Sequence, residues 1–346
     1  MKKRVALIFG GEGREHSISE RSAENLCELI NKSIYDILPI GISEDGDWFI
    51  YGGPFDRIGT GEWSQDPLLL KRTHPVKSGF WSADGMIRVH AAILCLHGDF
   101  GEDGSVGGAL DVAHIPYVGQ DVYSSAVTQD KAYTKCIAEH LGIPTAKWIL
   151  STGEDTAIAK RRAENIIGYP MFIKPPRLGS SYGAHPIHTP KEFETAFADA
   201  QAYDGRVLIE RLIEVEYEAE CAMLFVGDSR RFSVGIIDSH GAFYDFQTKY
   251  SESERAVALP FCRDEAVVKR VCKAANMLSE YIGLRHLSRI DFFVTKDREI
   301  LFNEINTFPG MTKTSLYPAL TEKMGLSRGE FLSLLIESVC KDDGHI

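Results

Sequence analysis

Short apolar runs alternate with amphipathic segments in the first part of the chain. Residues 5–9 are continuously apolar and stop at Gly10 and Gly11, as in a parallel strand buried on both faces. Residues 19–30 are predicted to be helical, and residues 35–42 and 91–96 are two further apolar strands. This alternation favours a doubly wound parallel sheet, in which ligands bind beyond the carboxyl ends of the strands. Glu15 and His97 both follow such ends.

The rest of the chain divides into two further units. The predicted elements are, in chain order, a helix at 130–141, a strand at 169–175, a loop rich in glycine and serine at 176–183, antiparallel strands at 206–213, 217–226 and 232–238, a segment at 244–250, a helix at 264–282, strands at 288–293 and 299–306, and a helix at 328–339. The predicted fold class is α/β. We expect an N-terminal unit at 1–124, a central unit at 125–206 and a C-terminal unit at 207–346.

Composition excludes several classes of protein. The 346 residues are 44% hydrophobic and 25% charged, which excludes a wholly disordered chain. A net charge of −11 without a basic stripe argues against nucleic acid as the main partner. The seven cysteines are scattered and form no CxxC pair, so reduced thiols of a cytoplasmic protein are favoured over zinc ligands or disulfides. The first apolar run is too short for a signal peptide, and no segment has the length of a membrane span.

A polar cluster is predicted on the two strands near the C-terminus. Side chains alternate faces along a strand, so Arg289 and Asp291 share one face, and Glu304 and Asn306 share a face of the next strand. Two carboxylates among apolar neighbours repel each other unless a cation compensates, and oxygen ligands suit magnesium. The alternative is an ordinary sheet with a solvated polar face. The Pro-Gly turn that ends at Gly310 favours the metal site, because it would fold a loop over the ion.

A phosphate-binding element is predicted at residues 179–183. Glycines let a backbone fold over phosphates, and Lys174 on the preceding strand needs a negative partner, which a nucleotide would supply. Glu210 ends an apolar run against which an adenine could stack. The alternatives are a flexible surface hairpin, a solvated Lys131 at the helix start and an ordinary charge at a strand end.

These pieces occur in the order found in one family, and the chain resembles the D-alanine–D-alanine ligases of the ATP-grasp superfamily over nearly its whole length. The matching positions are Gly10, Gly11, Glu15, Ser19, His97, Gly98, residues 101–104, Asp130, Lys131, Lys174, Pro175, residues 179–181, Tyr244, Asp245, Lys249, Tyr250, residues 288–291, residues 303–306, residues 309–312, Ser315 and Leu316. The resemblance implies two ATP-grasp subdomains after the N-terminal sheet.

The resemblance also implies a role for each matching position. The implied ATP-binding residues are Lys131, Lys174, Ser180, Ser181, Glu210 at the adenine, Glu218 at the ribose and Lys249. The implied catalytic residues are Glu15, Ser180 and Tyr250 as a hydrogen-bonded triad, with Arg289 and the Gly310 amide as oxyanion donors. The implied substrate-binding residues are Glu15, His97, Tyr244, Lys249, Ser315 and Leu316. Asp291, Glu304 and Asn306 would hold two magnesium ions, with Mn²⁺ as the alternative ion.

The implied reaction joins two D-alanines at the expense of ATP, through a D-alanyl phosphate, for peptidoglycan precursor synthesis in the cytoplasm. Tyr250 and Leu316 favour D-alanine as the second substrate, with D-serine as the alternative. Thr314 stands where the family often has His. The implied partners are D-alanine and ATP, with no nucleic acid or membrane, and the implied assembly is a homodimer. Two rivals are an ATP-grasp ligase for another carboxylate and amine, and a nucleotide-binding regulatory protein without turnover.

Overall fold

A computed structural model of the chain describes residues 2–238 and 257–340, which form three β-sheets with helices packed around them. The predicted site residues Tyr244, Lys249 and Tyr250 lie outside the described residues. Within the described ranges, no helix combines the length and the apolar composition that crossing a bilayer requires.

The first sheet contains eight strands: β1 (Lys3–Gly10), β2 (Tyr35–Ile42), β3 (Trp48–Tyr51), β4 (Leu70–Val76), β5 (Gly79–Ser82), β6 (Gly85–Arg88), β7 (Ala91–Leu94) and β8 (Tyr117–Val118). Their order is β6-β5-β4-β3-β2-β1-β7-β8, and the helices α1 (His16–Leu29) and α2 (Ser105–Val112) belong to this unit. The predicted parallel sheet is confirmed for β1, β2, β7 and β8. The strands β3 to β6 extend it with antiparallel pairing, which the sequence analysis did not predict.

The central strand β1 serves two cores. Val5, Leu7 and Phe9 pack into one core, whereas Ala6 and Ile8 pack into the other, and all five are fully buried. A strand covered on both faces needs apolar residues at successive positions, which accounts for the unbroken apolar run. The carboxyl end of β1 is thereby fixed beside the start of α1.

The second sheet contains β9 (Trp148–Thr152), β10 (Met171–Lys174), β11 (His185–Ile187) and β12 (Arg206–Arg211), with the helices α3 (Val122–Gln129) and α4 (Lys131–His140) before it and α5 (Thr156–Ile166) and α6 (Phe193–Tyr203) within it. Its order is β11-β10-β12-β9, and every pairing is antiparallel. The expected divisions at 124/125 and 206/207 fall inside α3 and inside β12. Because β12 pairs with both β9 and β10, it belongs to the second sheet and not to the third.

The third sheet contains β13 (Tyr217–Val226), β14 (Ser229–Asp238), β15 (Val257–Leu259), β16 (His286–Val294) and β17 (Ile300–Asn306), and the helices of this unit are α7 (Glu265–Ile282), α8 (Leu316–Lys323) and α9 (Arg328–Val339). The strand order is β15-β14-β13-β16-β17, all antiparallel. Ala138 of α4 shares a core with Phe292 and Phe302, so α4 packs on the third sheet although it precedes the second. On the other side, Tyr317 and Phe331 share a core with β1 and join the third unit to the first.

The start of α4 is set by its cap. The carboxylate of Asp130 accepts a hydrogen bond from the Ala132 amide at 3.0 Å, as an aspartate at this position usually does. Lys131 is therefore the first helical residue. The Lys131 amide also donates to the Pro176 carbonyl at 3.0 Å, which holds the helix start beside the glycine-rich loop.

Candidate active site

The predicted polar cluster forms on β16 and β17. Arg289 lies opposite Asn306, and Asp291 lies opposite Glu304, so the four side chains share one patch as their spacing predicted. The Arg289 guanidinium donates to both oxygens of Asp291 at 2.8 and 2.7 Å, and the Asn306 amide donates to Asp291 at 3.0 Å. Asp291 is only 5% exposed, which excludes the alternative of a solvated face.

Charges around Arg289 compensate its burial. Burial works against the charged guanidinium, but Asp291 and Glu220 outweigh it, and the pKa of Arg289 lies well above its ordinary value. Glu220 on β13 is 3.5 Å from the guanidinium. Glu218 is two residues earlier on the same strand and hence on the same face of the sheet. A permanently charged arginine is thus fixed beside the two opposed carboxylates.

The donor set of this patch fits a hard cation. In the described part of the chain, no group of three or more His, Cys, Asp or Glu side chains is placed to hold a metal. The patch instead offers the carboxylates of Asp291 and Glu304 and the amide oxygen of Asn306, which remains available because Asn306 donates through its nitrogen. Two carboxylates and an amide oxygen make an incomplete shell that suits magnesium, which keeps waters and shares phosphate oxygens.

A β-bulge turns Asn303 toward the second sheet. Asp291 pairs with Glu304 but Phe292 pairs with Phe302, so Asn303 is the extra residue on β17. Its side-chain oxygen accepts a hydrogen bond from Lys174 Nζ at 3.3 Å. The bulge thereby links the polar patch to the lysine of β10.

Three lysines converge between the second and third sheets. Lys131 Nζ lies 3.2 Å from Glu304 and donates to the Leu178 carbonyl at 2.7 Å, which connects the polar patch with the glycine-rich loop. Lys131 is 8% exposed, so it is not a solvated lysine. Lys174 and Lys135 Nζ lie 2.7 and 2.5 Å from the two oxygens of Glu210.

Glu210 is the anionic partner that Lys174 needs in this structure. It is 3% exposed, which excludes the alternative of an ordinary charge at a strand end. Burial raises the pKa of Glu210, but Lys135 and Lys174 outweigh burial and hold it at about 2. Lys135 was not among the predicted site residues. The four-residue spacing between Lys131 and Lys135, which puts both on one helix face, was the sequence signal that could have identified it.

The loop after β10 reaches the first sheet. The hydroxyl of Ser180 donates to the carboxylate of Glu15, which stands at the start of α1. Ser180 and the adjacent Ser181 both have left-handed backbones, with φ of 51° and 59°. Two members of the predicted triad are therefore in contact, and the alternative of a free surface hairpin is excluded.

Glycine is required beside Glu15. Gly98 has φ of +66°, and a Cβ there would lie 2.4 Å from a Glu15 oxygen. The preceding His97 is buried, and its Nε2 lies 3.2 Å from the Ser22 hydroxyl. Burial lowers the pKa of His97, although the negative charge of Glu102 opposes this shift.

Glu102 joins the loop after β7 to the loop after β17. One of its oxygens accepts from the amides of Thr307 and Phe308 at 3.0 and 3.2 Å and from the Thr307 hydroxyl at 3.1 Å. The other accepts from the Gly98 amide at 3.0 Å. Glu102 lies within the matching residues 101–104, but no role was predicted for it.

The loop before α8 is compact. The Ser315 hydroxyl lies 3.0 Å from the Thr312 amide and 2.7 Å from the Thr312 hydroxyl, and a Cβ at Gly310 would lie 2.9 Å from it. The Leu316 side chain packs against β14, where a Cβ on Gly235 would come within 2.9 Å of it. Ser315 is thus held next to Gly310, and Leu316 is held against β14.

Comparisons with known proteins identify the family. Two family models match, the D-ala D-ala ligase N-terminus over residues 4–120 and the D-ala D-ala ligase C-terminus over residues 137–337. The D-alanine–D-alanine ligase of Clostridium novyi is 36% identical over 99% of both chains, and that of Deinococcus radiodurans is 34% identical over 97% of this chain and 98% of its own. This chain therefore belongs to the D-alanine–D-alanine ligase family, whose members are ATP-dependent ligases.

Solved structures confirm the predicted fold. The D-Ala:D-Ser ligase VanG of Enterococcus faecalis has a TM-score of 0.89 and 33% identity, covering 98% of this chain and 100% of that one. The D-alanine–D-alanine ligase of Coxiella burnetii has a TM-score of 0.85 and 29% identity, covering 98% of this chain and 95% of that one. The ATP-grasp fold and the enzyme class are thus established.

Proposed function

We propose that this enzyme joins two D-alanines into D-alanyl-D-alanine, with cleavage of ATP to ADP and phosphate, in the synthesis of peptidoglycan precursors. The observation that carries the proposal is the hydrogen bond between Ser180 and Glu15, because it brings a glycine-rich loop of the second sheet over the carboxylate at the first sheet. A phosphate under that loop and an amino acid on Glu15 would be adjacent.

The nucleotide would lie between the second and third sheets. Lys131 and Lys174 bind its phosphates, and the Ser180–Ser181 backbone closes over the γ-phosphate. Asp291, Glu304 and Asn306 would hold magnesium, which would supply positive charge to neutralise the transferring phosphoryl group. The remaining proposed contacts are Glu210 with the adenine, Glu218 with the ribose and Lys249 with the phosphates.

The reaction has two steps. Glu15 holds the ammonium of the first D-alanine, with His97 beside it. The carboxylate of this D-alanine attacks the γ-phosphorus of ATP, and the bond between that phosphorus and the bridging oxygen breaks. ADP is released, and a D-alanyl phosphate is formed. The amine of the second D-alanine, after losing a proton, then attacks the acyl carbon, and inorganic phosphate leaves as the amide forms. Arg289 and the Gly310 amide stabilise the tetrahedral oxyanion.

The second D-alanine would bind near the start of α8. Ser315 and Lys249 hold its carboxylate, and Leu316 faces its methyl group. Tyr244 and Tyr250 complete the proposed substrate site, with Tyr250 as the third member of the triad. We place this reaction in the cytoplasm and propose a homodimer without nucleic acid or membrane partners.

D-serine is a second candidate for the second substrate. The similarity to VanG, a D-Ala:D-Ser ligase, favours it. Leu316 favours D-alanine, since an apolar side chain offers no partner for a hydroxyl. Such a pocket rejects an added hydroxyl by about 10²-fold or less, so some D-alanyl-D-serine is expected.

The full chain should be incubated with ATP and Mg²⁺ and with D-alanine alone, and then with added D-serine, D-lactate or L-alanine. Phosphate release and product mass are measured together. D-alanyl-D-alanine is the expected main product, even when D-serine is present at equal concentration. Absence of the dipeptide above background would overturn the proposal, and an excess of D-alanyl-D-serine would favour the second candidate.

A further inference from the structure

Lys135 is a fully buried cation that none of the proposed steps uses. It lies on α4, one helical turn after Lys131, and it is 0% exposed. Its Nζ is 2.5 Å from one oxygen of Glu210, and no other carboxylate of the described residues lies within ion-pair distance. A buried ammonium is costly without a partner, so Lys135 and Glu210 depend on each other.

Glu210 has a second cation on its other oxygen. Lys174 Nζ lies 2.7 Å away, and it also donates to Asn303 beside the polar patch. The two lysines are not equivalent, because Lys174 is 9% exposed and contacts the candidate site, whereas Lys135 is sealed within the protein. One carboxylate thus balances a lysine that can reach a ligand and a lysine that cannot.

Binding of a phosphate would disturb this balance. If Lys174 turned from Glu210 to a nucleotide phosphate, Glu210 would lose one of its two partners at the moment when further negative charge arrives. Without Lys135, the carboxylate would then be a buried, unpaired anion, which is strongly unfavourable.

We propose that Lys135 is a positioning residue for ATP: it remains the counter-ion of Glu210 and so allows Lys174 to exchange the carboxylate for a phosphate. This inference rests on the proposed role of Lys174 in ATP binding. Lys135 does not contact the nucleotide. It acts through Glu210, whose orientation it also fixes from the side away from the ligand.

The first test compares Lys135→Met with the unmodified chain. Calorimetric titration of the full-length protein with ATP and Mg²⁺ is expected to give a dissociation constant raised about tenfold or more, because the exchange now leaves Glu210 unpaired. The KM for D-alanine should stay within about twofold, since no D-alanine contact changes. The matched control is Lys160→Met, which removes a lysine paired with Glu194 on the surface of the second sheet and should bind ATP normally.

The decisive comparison is made in a Glu210→Gln background, where no buried anion remains. In that background, adding Lys135→Met should change ATP affinity by less than about threefold, because Lys135 no longer has a Glu210 carboxylate to neutralise. A loss of about tenfold in both backgrounds would overturn the proposal and indicate that Lys135 only supports packing. If Lys135→Met alone does not fold, a loss of about tenfold on adding it to Glu210→Gln would still overturn the proposal.

Failure of this inference can be separated from failure of the proposed function. An unmodified chain that binds ATP while Lys135→Met binds it equally well would refute the role of Lys135 alone. An unmodified chain that shows no heat of ATP binding and no dipeptide would refute both.

Discussion

Thr307 gives two hydrogen bonds to a single oxygen of Glu102, one from its amide at 3.0 Å and one from its hydroxyl at 3.1 Å. Glu102 follows β7 of the first sheet, and Thr307 directly follows Asn306 at the end of β17. The contact therefore connects the loop that holds His97 and Gly98 with the loop that carries Gly310. We infer that Glu102 aligns the proposed oxyanion donors with the first substrate.

Glu102→Ala should impair both stability and turnover. Removing the carboxylate leaves several partly buried donors without an acceptor, so the free energy of unfolding should fall by about 1–3 kcal/mol. Displacement of the Gly310 amide should lower kcat by about 10²-fold. Urea unfolding and phosphate release measure the two effects. Asp103→Ala is the control, because the Asp103 carboxylate accepts from the Ser105 amide at its own end of α2; equal losses in both variants would contradict the alignment role.

Ser180→Ala should act on D-alanine and not on ATP affinity. The substitution removes the hydrogen bond to Glu15, so the loop no longer positions that carboxylate, and the KM for the first D-alanine should rise about tenfold. Initial rates at varied D-alanine concentration provide the measurement. Ser17→Ala, at an exposed position on the first turn of α1, is the control. An unchanged KM for D-alanine would show that the contact has no role in substrate binding.

Glu304→Gln should change the magnesium requirement. The substitution preserves shape but removes one of the two opposed carboxylates and the partner of Lys131. We expect kcat to fall at least about 10²-fold and half-activation to need more Mg²⁺. A Mg²⁺ titration of phosphate release is the measurement, with Glu299→Gln in the exposed hairpin turn as the control. Near-normal activity of Glu304→Gln at low Mg²⁺ would refute the assignment of Glu304 as a metal ligand.

His286→Asn should make the protein less sensitive to acid. His286 Nδ1 lies 2.7 Å from the Gly119 carbonyl, and burial lowers the pKa of His286 from 6.5 to about 4. The unfolded chain thus takes up a proton near pH 6.5 and the folded chain only near pH 4, so stability is lost as the pH falls through this window. The variant should avoid a loss of up to about 3 kcal/mol.

The measurement for His286 is urea unfolding at pH 7 and at pH 4. Asn tolerates the left-handed backbone found at His286, where φ is 57°. His114→Asn is a matched control, because His114 is also left-handed, with φ of 52°, but is exposed. Parallel pH profiles for the unmodified chain and His286→Asn would refute the prediction.

Much of the fold was predictable because local patterns determine it. The strands at 35–42 and 217–226 and the helix at 328–339 have the predicted bounds, since each combines an apolar pattern with clear ends. The strands β3, β5 and β6 were missed because each spans only four residues, too few to establish a period. The strand β4 spans seven residues, but its sequence contains Pro75 and three basic residues and has no regular apolar alternation. The membership of β12 was also not predictable, because it depends on which strands pair with it and not on its own pattern.

In the candidate site, too, the features set by local patterns were predictable and those set by the pairing of distant segments were not. Strand alternation alone was enough to bring Asp291 and Glu304 together. The same rule would put Asn303 on the face opposite Glu304, but a bulge at this point turns it toward Lys174, and a bulge arises from the pairing of two strands. The spacing from Lys131 placed Lys135 on the same helix face, but its partner Glu210 lies on a distant strand, and that pairing is not visible in the local sequence.

The second sheet is built so that the chain enters and leaves it at neighbouring points. The Arg211 amide donates to the Lys147 carbonyl at 2.7 Å, and the core of this sheet is made entirely of residues between Ile149 and Ile209. It is therefore a continuous insertion with adjacent ends, but a short linker in its place would leave the buried Lys135 of α4 without its partner Glu210.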